Sequence, residues 1–218
     1  MAIEAIASMA EFHRQLKSIY EQNQMDFLED TGRRNILMSR PQEKFFATAL
    51  STRFPEAIAD GRSGQPDILI PELDKELECK ITSPHRSGGW SLQTDYGTLK
   101  RKGTIDYLYM LCDKEFEYFA VFHFENLTCR DFHSPSTGSR GKSPIIMGNA
   151  IDRCNILVGG IENRNILFLE SILEKLNNPS LNPGKEKEKL LTRQEYWSAA
   201  PLSYSFKLES INGEHAPA

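Results

Sequence analysis

Cysteine is scarce, with four in 218 residues, and Cys79, Cys112, Cys129 and Cys154 contain no C-x-x-C pair. Three of them lie in apolar, strand-like runs, so they read as reduced structural thiols, which fits a cytoplasmic location. His133 has no second histidine or cysteine at ligand spacing, and this argues against a zinc or other histidine-based metal site. Long apolar runs are also missing. Residues 1–24 carry Ile3, Ile6, Met9, Phe12, Leu16, Ile19 and Tyr20 at helical spacing, but Glu4, Glu11, His13, Arg14 and Lys17 interrupt them. The segment is therefore expected to be neither a signal peptide nor a membrane span, and the chain to be soluble. Gly141-Lys142-Ser143 resembles the end of a phosphate-binding loop. The opening glycine of that loop is replaced by Ser136, and Pro144 and Gly148 spoil the helix that should follow, so no nucleotide cofactor is expected. Positive charge is not in excess either. Lys and Arg number 26 against 30 Asp and Glu, a formal charge of −4, which is not the balance of a uniformly DNA-binding surface. No internal repeat is evident.

What the chain does have is a local concentration of chemistry. Pro66-Asp67 is followed, eleven residues after the aspartate, by Glu78-Cys79-Lys80. The segment reads as two short strands, 67–70 and 76–82, joined by a tight 71–75 connection, that is, a hairpin. Side chains alternate along a strand, so Glu76, Glu78, Lys80 and Thr82 share one face, while Leu77, Cys79 and Ile81 share the other and can enter a core. Crowding two glutamates and a lysine beside Asp67 is unfavourable unless the carboxylates have a cation to coordinate and the ammonium a partner. A divalent metal satisfies that requirement. A lone Glu-X-Lys is commonly just the solvated face of a sheet. The preceding Pro-Asp, the hairpin spacing and the apolar opposite face set this one apart.

On these residues the chain resembles the PD-(D/E)XK nuclease superfamily, whose type II restriction endonucleases are the best-known members; Pro66, Asp67, Glu78 and Lys80 match its motif position by position. The resemblance implies an α/β (α+β) restriction-endonuclease-like core, a central mixed β-sheet flanked by helices in the order αβββαβ. It also implies Mg2+-dependent hydrolysis of double-stranded DNA at a specific sequence, leaving 5′-phosphate and 3′-hydroxyl. Asp67, Glu78 and the backbone carbonyl of Cys79 would hold the metal. Lys80 would orient the nucleophile and stabilise the pentavalent phosphate or act as a general base, the first being favoured by the nearby carboxylates. Similar nucleases often carry a glutamate on the first helix that faces the metal, and Glu43 is the candidate. Its other reading is first-turn charge complementing the helix dipole. A Gln-X-X-X-Tyr used by an exonuclease branch is absent, because Tyr96 follows Gln93 after three residues.

The flanking pattern agrees with that order. Pro41 sits near an expected helix start, and Phe46, Ala49, Leu50 and Phe54 follow at helical spacing. Residues 57–60 are expected to form the first strand, with a turn at 61–64. After a loop at 83–90 that contains Arg86 comes an expected helix over 91–102, with Leu92, Tyr96 and Leu99 on one face. Lys100, Arg101 and Lys102 crowd its end, either as dipole complements or as DNA phosphate contacts. Residues 105–112 and 117–124 read as buried strands.

One domain over 1–218 is expected, with 1–40 a helical decoration, 41–125 the catalytic core and 126–150 a long loop. Arg140 and Lys142 in that loop are candidates for DNA contact, the alternative being a plain surface loop. A strand over 154–161 and a helix over 163–176 follow. A linker at 177–189 leads to a helix over 190–199, a strand over 202–211 and a frayed end. Cutting both strands with one site per chain calls for a homodimer. Two other functions remain open: a repair, junction-resolving or mobile-element nuclease of the same superfamily, and a non-catalytic DNA-binding protein whose charged strand face is merely solvated.

Overall fold

The computed structural model describes residues 1–62, 65–83, 91–150, 153–158, 176, 177, 191, 206 and 207. The expected helices at 163–176 and 190–199, the linker at 177–189, the frayed end, most of the last strand and Arg86 lie outside these residues.

Helix α1, Ala2–Gln22, turns Ala5, Ile6, Met9, Ala10 and His13 to one buried face, as its sequence spacing requires. Helix α2, Thr31–Ser51, starts ten residues before Pro41, the expected start. Its cap is Asp30, whose carboxylate accepts hydrogen bonds from the backbone N–H groups of Gly32 at 2.9 Å and Arg33 at 3.1 Å. Pro41 therefore lies inside the helix. It removes one backbone donor, but the buried stripe Arg34, Met38, Gln42, Phe46 and Ala49 crosses it without a break and holds both halves on the same core. The boundary at 40/41 falls within this helix, and α1 contributes to the same core as α2, so residues 1–40 are part of the domain's packing.

The first expected strand, 57–60, is reduced to a single bridge in which Ile58 exchanges backbone hydrogen bonds with Leu69. The hairpin forms as expected. Strand β1, Ile68–Ile70, and strand β2, Lys75–Thr82, pair antiparallel, with Ile68 opposite Leu77, across a 3-10 turn at Pro71–Leu73 and a left-handed Asp74.

The expected helix over 91–102 is divided. Leu92 and Thr94 alternate into the interior, a strand period, and Gln93–Asp95 is strand β3. Asp95 then caps the short helix α3, Tyr96–Lys102, by accepting from the Thr98 N–H at 2.7 Å.

Strand β4, Ile105–Cys112, is buried along its whole length, and β5, Tyr118–Leu127, pairs with it antiparallel. The stretch 126–150 is not a bare loop. Thr128 and Asp131 form a capping box around a 3-10 turn, Lys142–Pro144 is strand β6 pairing with β3, and Met147–Ala150 is helix α4. Buried Asp131, Phe132 and Ser143 anchor it, with Arg153 paired to Asp131, and only residues 133–138 form a continuous exposed run. Strand β7, Cys154–Val158, and the two-residue strand β8, Phe206–Lys207, both pair with β5.

The result is a mixed sheet in the order β1-β2-β4-β5-β7, with β2 and β4 parallel and the other pairs antiparallel. Helices α1 and α2 cover one face, burying Leu77, Cys79, Leu108 and Met110. On the other face Tyr107, Tyr109, Phe122 and Phe124 pack under the β3–β6 ribbon and α3. The Tyr109 hydroxyl donates to the Gln93 carbonyl at 3.0 Å, and the Tyr107 and Thr94 hydroxyls are 2.5 Å apart, so the sheet holds the ribbon through its own aromatic side chains. Among the described residues no helix is long and apolar enough to cross a membrane.

His13 is the weak point of this packing in acid. It is 3% exposed, stacks on Phe116 with ring centroids 4.5 Å apart, and burial followed by the Arg34 charge pushes its pKa down to about 4. The folded state thus refuses a proton that the unfolded chain takes up below about pH 6.5, and stability is lost as pH falls towards 4. Replacing His13→Phe keeps a ring in place and removes this linkage. Urea unfolding at pH 5 should show a gain on the order of 2 kcal/mol over wild type beyond any difference at pH 7.5. Equal acid sensitivity of the two proteins would refute the assignment.

Candidate active site

The alternation of β2 does what its sequence dictates. Leu77 and Cys79 go into the core beneath α2, while Glu78 and Lys80 remain half-buried on the other face, opposite Tyr107 and Tyr109 of β4. Asp67, just ahead of β1, reaches across the hairpin and accepts the Cys79 backbone N–H at 2.7 Å. Lys80 Nζ lies 2.5 Å from Glu78 Oε1. Asp67, Glu78 and Lys80 are therefore one interacting group.

Its electrostatics are set by burial and by the carboxylates together. Burial first, and the Glu78 charge second, push the Asp67 carboxyl up to about 6, against the opposing pull of Lys80 and of the Cys79 N–H; Glu43 adds to the rise. Burial alone would lower Lys80, but the Glu78 carboxylate and then the Asp67 charge outweigh it and hold the ammonium above the ordinary lysine value. Lys80 is charged, and not a free base. The Cys79 thiol is pushed well up, chiefly by burial, so it stays protonated and can offer a metal only its backbone oxygen.

Glu43 lies far past the first turn of α2, which removes the helix-dipole reading, and it is close enough to act on both Asp67 and Cys79. Arg40 holds it at 2.6 Å and also donates to the carbonyls of Ala59 at 3.3 Å and Asp60 at 3.5 Å. Gly61 permits this clamp: its φ is +65°, and a Cβ there would fall 2.0 Å from Arg40 Nη1.

The basic candidates divide. Lys102 is paired with Glu76 at 2.8 Å, and Arg101 donates to Thr98 Oγ1 at 3.0 Å. Lys100, Arg140 and Lys142 are exposed, and none forms an ion pair among the described residues. Lys142 faces Asp95 across the β3–β6 ribbon, and Asp95 itself feels the Lys80 charge. A cavity of about 230 Å³ opens next to Glu78, between Pro66, Glu76, Lys102 and Asp106.

Three residues escaped the sequence reading: Arg40, Gln42 and Asp95. Gln42 carries a signal in retrospect, as a polar residue four after Met38 and four before Phe46 in an apolar stripe. Asp95 does too, as a capping residue ahead of Leu99.

Among the described residues, no three His, Cys, Asp or Glu side chains are grouped to hold a metal ion. Mg2+ does not need three, since it is commonly held through one or two carboxylates with water completing the shell. Asp67, Glu78 and the Cys79 carbonyl are all oxygen donors, and burial together with the Glu78 charge raises the Asp67 carboxyl. In donor chemistry the group fits that ion. Set beside known protein families, curated proteins and solved structures, the chain matches none. What the site does has to be read from its own geometry.

The raised carboxyl has a measurable consequence without metal. A folded-state value near 6 means that the native protein holds a proton the unfolded chain releases near pH 4, so stability falls as pH rises through this window. Asn at position 67 can still accept the Cys79 N–H. Asp67→Asn should therefore be more stable than wild type at pH 7.5 in chelator, by on the order of 2–3 kcal/mol, with the difference vanishing near pH 4. Loss of stability at pH 7.5 in thermal melts would contradict the crowding described.

Proposed function

We propose that the chain is a Mg2+-dependent endonuclease of the PD-(D/E)XK type with a restriction-endonuclease-like core. It hydrolyses phosphodiester bonds in double-stranded DNA at a specific sequence, as type II restriction enzymes do, and leaves 5′-phosphate and 3′-hydroxyl ends. One observation carries the reading: Asp67 and Glu78 crowd each other on adjacent segments of a hairpin, with a charged Lys80 bound to Glu78. The order of α2, the Ile58 bridge, β1, β2, α3 and β4, with the short strand β3 between β2 and α3, supports the core assignment.

Asp67, Glu78 and the Cys79 carbonyl are the residues that would hold Mg2+, with Glu43 at the margin. Bound there, the ion supplies positive charge against the phosphate and lowers the pKa of water to make a nucleophile. Lys80 presents an ammonium to the phosphate oxygens, where charge builds up as phosphorus becomes five-coordinate. Glu78 keeps that ammonium oriented. Lys100, Arg140 and Lys142, without an ion pair among the described residues, offer cations for the DNA backbone or for guanine edges. A homodimer would bring one such site to each strand, and the four free thiols suit the cytoplasm.

Purified protein with Mg2+ should cut phage or plasmid DNA into discrete fragments, and EDTA should stop it. Asp67→Ala and Lys80→Ala should each lower cleavage by about a hundredfold or more while the proteins stay folded. Intact DNA with folded wild type, or unimpaired cutting by both variants, overturns the proposal. In the same system, Arg140→Ala and Lys142→Ala should each reduce the slope of log affinity against log salt by about one if they meet phosphates. An unchanged slope removes them from the interface.

A further inference from the structure

Helix α2 turns two polar side chains into its buried stripe, Arg34 and Gln42. Arg34 is well satisfied, by the carbonyls of Asp113 and Lys114 and by Ser83 and Asn35. Gln42 is different. It is 0% exposed, and its Nε2 donates to the Lys80 carbonyl at 3.2 Å and the Leu108 carbonyl at 3.4 Å. Those carbonyls belong to the neighbouring parallel strands β2 and β4, which pair Cys79 with Leu108 and Lys80 with Tyr109. A single amide thus ties the strand that carries Glu78 and Lys80 to the strand behind it, from the helix that also carries Glu43.

The tie has a cost. Gln42 Oε1 is buried and has no hydrogen-bond partner among the described residues, a burden of about 1–3 kcal/mol for an unpaired polar atom. A methionine would fill a similar volume, between Met38 and Phe46, without that burden. What the amide provides in return is the pair of hydrogen bonds to the Lys80 and Leu108 carbonyls.

We infer that Gln42 is a positioning residue, fixing the β2 backbone at Lys80 so that the Lys80 ammonium is held in one place beside Glu78. The inference rests on the proposed hydrolysis. Gln42 touches no reacting atom; it acts through Lys80.

The test compares Gln42→Met with Met38→Ala, a buried substitution one turn earlier on the same helix that opens a cavity and leaves the amide alone. Full-length wild type and both variants are assayed for plasmid cleavage with Mg2+, and the acetylation rate of Lys80 is followed by mass spectrometry without metal. In Gln42→Met, kcat should fall by about tenfold or more with KM within about twofold, because misplacing a reacting group by a fraction of an ångström to an ångström slows chemistry more than binding. Lys80 should acetylate several times faster in Gln42→Met than in wild type. Met38→Ala should show neither effect, although it melts lower. If Gln42→Met matches Met38→Ala in both kcat and Lys80 labelling, the positioning role is refuted. If wild type leaves DNA intact while Lys80 labelling still responds to Gln42→Met, the amide tie stands and hydrolysis is what fails.

Discussion

The parallel pairing of β2 with β4 is the constraint on which the rest of the molecule depends. Parallel neighbours cannot be joined by a tight turn, so the chain must leave the end of β2, cross one face of the sheet and return to start β4 on the same side. That crossover carries β3 and α3. It lays them over the face where Glu78 and Lys80 project, and Tyr107 and Tyr109 fasten them there through their hydroxyls. Asp95 of the ribbon thereby comes within reach of the Lys80 charge, although fifteen residues of chain separate them.

The same constraint divides labour between the two faces. On the helical face, α1 and α2 bury an apolar stripe against Leu77, Cys79, Leu108 and Met110. On the ribbon face, carboxylates are pressed together and one is pushed towards protonation. The fold tolerates that strain because β2 is anchored from the helical side, including the amide of Gln42.

Much of the fold was legible in the residues, and where it was not the reasons are physical. The hairpin was readable because the period of two along 76–82, the Pro-Asp and the turn residues all agree. The start of α2 was misread because Pro41 is a strong local signal for a first turn, whereas the deciding signal, Asp30, works through hydrogen bonds to two backbone groups. The ribbon was missed because three-residue strands carry almost no periodicity, and Leu92 with Thr94 is too short an alternation to outweigh Leu92, Tyr96 and Leu99. The 126–150 segment looked structureless because its core contribution comes from scattered single residues, Asp131, Phe132 and Ser143.

By itself the sequence determined the local chemistry: a hairpin with Asp67 at its opening, Glu78 and Lys80 on one face of its second strand, and Cys79 on the other. Local order suffices for that, since strand alternation and turn residues act over a few positions. Only the tertiary structure decided which distant groups join them. Glu43 and Gln42 arrive from α2, Asp95 from the ribbon, and the parallel register with β4 brings Tyr107 and Tyr109 beneath them. These meetings depend on helix rotation, strand direction and crossover path, which burial of the whole core selects at once and no short stretch of residues encodes.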